Sequence, residues 1–70
     1  MRGHVQVMLN GETRELAAPI SVHGLLAAIG LDTRKVAVER NEEIVPRSVY
    51  EGTQLAAGDQ LEIVHFIGGG

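Results

Sequence analysis

Ile63-Val64-His65-Phe66-Ile67-Gly68-Gly69-Gly70 closes the sequence: a β-branched and aromatic run that gives way to three glycines. The run has strand propensity, and extended back to Gln60 it predicts a final strand over residues 60–67. A strand at this place belongs inside the sheet, so the rest of the fold has to be built around it. The glycines behave differently. They have no side chains to pack, and glycine loses the most backbone freedom when it is ordered. Gly68, Gly69 and Gly70 are therefore expected to form a flexible tail. Fully extended it reaches roughly 10 Å past Ile67, at about 3.3–3.6 Å per residue. A thin arm of that reach suits a narrow channel in another protein. With no Cβ nearby, bulky chemistry fits at the carboxylate of Gly70. The glycines alone leave a second reading open, a frayed end without a role.

Working outward, the partner for a central last strand is the first. Residues 4–9 alternate, with Val5, Val7 and Leu9 on one face and His4, Gln6 and Met8 on the other, the period of a strand buried on one side. Met1 to Gly3 read as a loose lead-in. Asn10-Gly11 is a strong hairpin signal, because both residues accept the positive φ of a type I′ turn. Residues 12–17 return as a polar edge strand. Ser21 is a good N-cap, and Val22, Leu25, Leu26 and Ile29 follow as one apolar helical stripe. Gly30 stands at the C′ position with Leu31 after it. Gly24, inside this helix, is expected to allow close packing against a strand. Residues 32–35 form a connecting loop and residues 36–40 a strand. Asn41-Glu42-Glu43 turn the chain, and Ile44-Val45 is a very short strand stopped by Pro46. Residues 47–52 form a turn or short helical loop, and Ala57-Gly58-Asp59 a further turn.

These elements predict an α+β protein: a mixed four- to five-stranded sheet with one main helix on one face, and with the first and last strands parallel at its centre. That is the β-grasp, or ubiquitin-like, architecture. Residues 1–67 form the β-grasp domain and residues 68–70 the tail.

Composition narrows the function. Seventy residues make one domain. Without cysteine there is no disulfide, thiol nucleophile or thiolate metal site. Nine acidic against six basic residues argue against a nucleic-acid partner, which needs clustered Lys and Arg. Tyr50 and Phe66 are too few for a base-stacking platform. No apolar stretch approaches the ~20 residues of a membrane span, and nothing resembles a signal peptide. A soluble, cytoplasmic protein without membrane contact is expected.

Several matched pieces then point to a family. They are Val7-Met8-Leu9-Asn10-Gly11, Ser21-Val22 with Leu25-Leu26, and Val36-Ala37-Val38-Glu39-Arg40-Asn41 with Ile44-Val45-Pro46-Arg47. Gly58-Asp59 and Ile67-Gly68-Gly69-Gly70 complete the set. Over residues 5–70 the sequence resembles the ThiS sulfur carriers of thiamine biosynthesis. The resemblance implies that a partner adenylating enzyme, related to ubiquitin-activating enzymes (ThiF type), uses ATP to activate the carboxylate of Gly70. Sulfur from a donor then gives a thiocarboxylate, which thiazole synthase (ThiG type) uses for the thiazole ring. Gly68 and Gly69 would enter the partner's active site. The chain would supply no catalytic residue and bind no cofactor of its own. Two alternatives share the fold: a sulfur carrier for molybdopterin synthesis, and a protein modifier conjugated through Gly70. His65-Phe66-Ile67 lacks the Phe-Pro-Pro-like approach of the first. The sequence departs from the family at Asn41-Glu42-Glu43, where an Asn-Gly-type turn is frequent, and a more open loop is expected there.

Other residues carry weaker expectations. With Leu61 and Ile63 facing the helix, Val64 and Phe66 fall on the open side of the sheet as a partner-docking patch; the alternative places them under a loop. His4, His23 and His65 lack metal-ligand spacing, so no metal site is expected, although His4 and His65 would come close on neighbouring strands. Arg40 and Arg47 would form a basic rim or lie solvated. Lys35 is the only lysine and reads as plain surface.

Overall fold

The computed structural model describes residues 3–66. Along them run β1 (Gly3–Leu9), β2 (Glu12–Ala18), α1 (Val22–Ala28), a 3-10 helix (Thr33–Lys35), β3 (Val36–Arg40), β4 (Glu43–Ile44), a second 3-10 helix (Arg47–Gly52) and β5 (Gln60–His65). The five strands form one sheet in the order β2-β1-β5-β3-β4. β1 and β5 run parallel at its centre, and the other pairs are antiparallel. This is the β-grasp fold. The last predicted strand residue, Ile67, lies outside the described residues, as does the tail; β5 is assigned to His65.

Local chemistry sets the first half of the fold. Asn10 and Gly11 take φ of 49° and 84°, so the β1–β2 hairpin turns in two residues with Leu9 opposite Glu12. The Ser21 hydroxyl accepts a hydrogen bond from the Gly24 amide at 3.0 Å and satisfies one free donor of the first turn of α1. At the other end the Gly30 amide donates to Ala27 O and the Leu31 amide to Leu26 O, with Gly30 at φ 79°. This pair of bonds is a Schellman cap. Gly24 packs against Ile20 rather than a strand: a Cβ there would stand 3.0 Å from Ile20 Cγ1. The tight neighbour is the residue just before the cap, which folds back over the first turn.

The apolar stripe and the sheet face meet as expected. Val22, Leu25 and Leu26 are fully buried against Val5, Val7, Leu9, Val36, Val38 and Leu61. Val45, Tyr50 and Leu55 close the end of this core. Backbone bonds from Val22 N to Thr53 O and from Leu55 N to Ile20 O tie the start of α1 to the chain after the second 3-10 helix.

The loop expected to be open after β3 is instead tight. Arg40 pairs with Glu43, leaving only Asn41 and Glu42 between the strands. Both take positive φ, 53° and 72°, as a two-residue I′ turn requires. Glutamate does not favour this region, and long-range bonds from Asn41 hold the turn.

Candidate functional site

In the sequence the glycines follow β5, so the surroundings of β5 are the site's scaffold. Gly68, Gly69 and Gly70 themselves lie outside the described residues. The strand is gripped from three places. On the β1 side the Asn10 amide N–H donates to Leu61 O at 2.8 Å. Its side-chain Oδ1 accepts from Ile63 N at 2.8 Å, and Nδ2 donates to Ile63 O at 3.3 Å. On the β3 side Asn41 N donates to Gln60 O at 2.8 Å, and Asn41 Oδ1 accepts from Gln60 N at 3.0 Å. At the exit, Phe66 N donates to Lys35 O at 2.9 Å.

That last anchor is itself held. Asp32 caps the first 3-10 helix, its Oδ1 accepting from Arg34 N at 2.9 Å. The Arg34 guanidinium donates to the same carboxylate, and with the Arg34 amide it holds the Asp32 carboxyl down at about 2. Arg47 Nε donates to Thr33 O at 3.1 Å and Nη2 to Arg34 O at 3.4 Å.

The base of β5 rests on Asp59, a residue that in the sequence reads only as part of a turn. Its side chain is buried, 7% exposed. Oδ2 accepts from Arg40 Nε and from Ala56 N, each at 2.8 Å, and Oδ1 accepts from Asn41 Nδ2 at 3.1 Å. Burial works to raise this carboxyl. The bonds from Ala56, Arg40 and Asn41 outweigh it and hold the carboxyl below its ordinary value. Of the two readings for the arginines, the basic rim does not form: Arg40 pairs with Asp59, while Arg47 stays exposed and donates to the carbonyls before β3. Each partner lies far away in sequence, so composition gives no hint of it.

Val64 and Phe66 are 60% and 58% exposed and do not lie under a loop. Across from them Val64 pairs with Ala37, and Glu62 stands opposite Glu39. The open face beside the exit therefore carries an apolar patch with two adjoining carboxylates.

His4 and His65 are not neighbours. β1 and β5 are parallel with Met8 opposite Gln60. His4 precedes Met8 by four residues and His65 follows Gln60 by five, a separation of roughly 30 Å at strand rise. Among the described residues no cluster of His, Asp and Glu is arranged to hold a metal ion, and no helix is long and apolar enough to cross a membrane. A cleft of about 180 Å³ between β4 and the second 3-10 helix is lined by Arg40, Glu43, Ile44, Val45, Pro46, Val49 and Thr53. It is formed without β5.

Known proteins are similar to this chain in sequence and fold. The chain is 53% identical over 66 residues to a thiazole synthase of Paramagnetospirillum magneticum, covering 94% of this chain but 20% of that protein. It therefore spans about a fifth of the length of that relative, and the same holds for a thiazole synthase of Magnetococcus marinus at 46% identity. It is 44% identical over 50 residues to the sulfur carrier protein ThiS of Bacillus subtilis, covering 71% of this chain and 76% of that one. Among solved structures, the crystal structure of the thiamine biosynthesis protein ThiS from Geobacter metallireducens superposes with a TM-score of 0.81 at 30% identity. That match covers 94% of this chain and all of the other. The family model described as the ThiS family matches residues 7–70. With the β-grasp sheet and the gripped β5 in place, the chain belongs to the ThiS family.

Proposed function

We propose that this protein is a sulfur carrier in thiamine biosynthesis, with Gly70 as the loaded residue. A carboxylate is a poor electrophile, so it has to gain a leaving group. The Gly70 carboxylate attacks ATP on a ThiF-type adenylating enzyme, releasing pyrophosphate and forming an acyl adenylate. A sulfur nucleophile then displaces AMP and leaves a thiocarboxylate. The catalytic groups belong to the partner, whose contribution is positioning and electrostatic stabilisation. The carrier offers a slender terminus on a rigid root. Thiazole synthase of ThiG type is the acceptor; the two thiazole synthases that contain a segment similar to this chain support this pairing. Val64 and Phe66, exposed at the end of the described chain, serve as the docking patch.

The observation that carries this reading is the family match through residue 70, joined to a central strand gripped up to Phe66. Intact mass after incubation with ATP, a sulfide source and the adenylating enzyme tests it. The expected result is a gain equal to replacing one oxygen by sulfur, abolished by deleting Gly70 and slowed by Phe66→Ala in protein that remains folded. No gain, with the same enzyme active on another carrier, overturns the proposal.

A further inference from the structure

Beyond Leu61, β5 has a backbone neighbour on one side only. Its pairing with β1 is Met8 with Gln60 and Leu9 with Leu61, because β1 ends in the Asn10-Gly11 turn. Pairing with β3 continues to His65. The β1-side N–H and C=O of Ile63 would therefore face water. Asn10 meets both, accepting from Ile63 N at 2.8 Å and donating to Ile63 O at 3.3 Å. A further peptide of β1 would present one acceptor and one donor here. The primary amide of Asn10 carries the same two groups, and asparagine is among the few residues that also accept φ 49°.

We infer that Asn10 is a positioning residue for loading of the tail: its side-chain amide extends the central parallel ladder one step past the end of β1 and fixes the line of residues 63–66, from which the glycine segment continues. The inference rests on the carrier reading above. A root held from both sides offers the partner one arrangement of residues 63–66. A root held from β3 alone samples several. The ordering then falls on the binding step and lowers the fraction of carrier that is competent to dock. KM for the carrier rises while kcat, set once the carboxylate is in place, stays the same.

Asn10→Gly separates the two duties of this residue, because glycine keeps the positive-φ turn and removes the amide. Asn10→Asp keeps the acceptor for Ile63 N–H and removes the donor. Amide hydrogen exchange and steady-state adenylation kinetics are measured on the full chain. For Asn10→Gly, exchange at Ile63 is expected to accelerate roughly 3- to 10-fold, the span of one modest hydrogen bond. Exchange at Leu25 and Leu55 stays unchanged. KM rises by a similar factor at constant kcat, and Asn10→Asp, which keeps the acceptor for Ile63 N–H but turns a carboxylate oxygen toward Ile63 O, recovers only part of both effects. Unchanged exchange at Ile63 overturns the inference, as does lost protection there with an unchanged KM. Acceleration at Leu25 and Leu55 together with Ile63 reduces Asn10 to a stability residue and also overturns it. If wild-type protein is not loaded at all, the carrier reading has failed, and the role assigned to Asn10 falls with it.

Discussion

The two hairpin turns use the same device from opposite sides of β5. Each places an asparagine at positive φ, passes its backbone N–H to a carbonyl of β5 and accepts a β5 amide on its side-chain oxygen. They differ in the residue after the asparagine. Gly11 suits its φ of 84°, whereas Glu42 is held at 72°, which costs a non-glycine residue about 1–2 kcal/mol. They also differ in backing. The amide nitrogen of Asn10 reaches an exposed backbone carbonyl, while that of Asn41 reaches the buried Asp59 carboxylate, which also takes Arg40 and Ala56. The first turn is thus specified by its own residues, and the second is imposed by the structure around it. An ill-suited residue persists where its surroundings over-determine the backbone.

Breaking the backing of the second turn gives the largest effect. Asp59→Asn puts an amide where three donors converge and leaves Arg40 without its partner. A loss of about 2–3 kcal/mol is expected, the scale of unsatisfied buried polar groups, read in urea as a lower midpoint at unchanged slope. A loss under about 0.5 kcal/mol, the size of an ordinary surface change, would place the two turns on an equal footing.

Acid probes the same contrast without mutation. Asp59 and Asp32 both ionise more readily folded than unfolded, so the unfolded chain binds the extra proton as pH falls. Their contribution is complete above about pH 5, roughly a unit over the ordinary carboxylate value. It is lost on descent toward pH 2, where Asp32 titrates in the fold at about 2. In Asp59→Asn the pH dependence of stability across this window should flatten, leaving the part due to Asp32. An unaltered slope would remove Asp59 from the account.

The smallest changes concern the second residue of each turn. Glu42→Gly should stabilise by about 0.5–1 kcal/mol, strain relief set against the greater freedom of unfolded glycine. Gly11→Ala should destabilise by about 1 kcal/mol. A Cβ at Gly11 would meet nothing within 4 Å, so only φ is at issue. Thermal unfolding of the two variants would show shifts of opposite sign. Shifts of the same sign would mean that φ is not the relevant difference.

This contrast also marks what the sequence can disclose. Asn10-Gly11, Ser21 and Gly30 announce a hairpin, a helix start and a helix stop, because each acts on backbone within a few residues of itself. The period of β1 and the stripe of α1 define the two faces that meet in the core, and the family resemblance suggests the role proposed for the tail. The Asn41-Glu42 turn reads as open in the sequence, since nothing local favours a left-handed glutamate. Asp59 looks like an ordinary turn residue because its partners Arg40 and Asn41 lie 19 and 18 positions away. Arg40 looks like surface charge for the same reason. Gly24 suggests a close strand, while its close neighbour, Ile20, sits one residue before the cap.

The parallel pairing of β1 with β5 also bears on how fast the protein is expected to fold. Asn10 and Ile63 are 53 positions apart, so nearly the whole chain must be looped before the middle of the sheet can close. Loop closure of that length costs roughly 3–4 kcal/mol plus a constant, and is met before the contacts that offset it form. The β1–β2 hairpin and α1 involve only nearby residues and can appear and melt many times first. The arrival of β5 between β1 and β3 is then expected to be the rate-limiting event. Changes along the β1–β5 seam should slow folding, whereas changes confined to β2 should chiefly hasten unfolding. The strand that precedes the glycines in the sequence is thereby also the one whose docking completes the core.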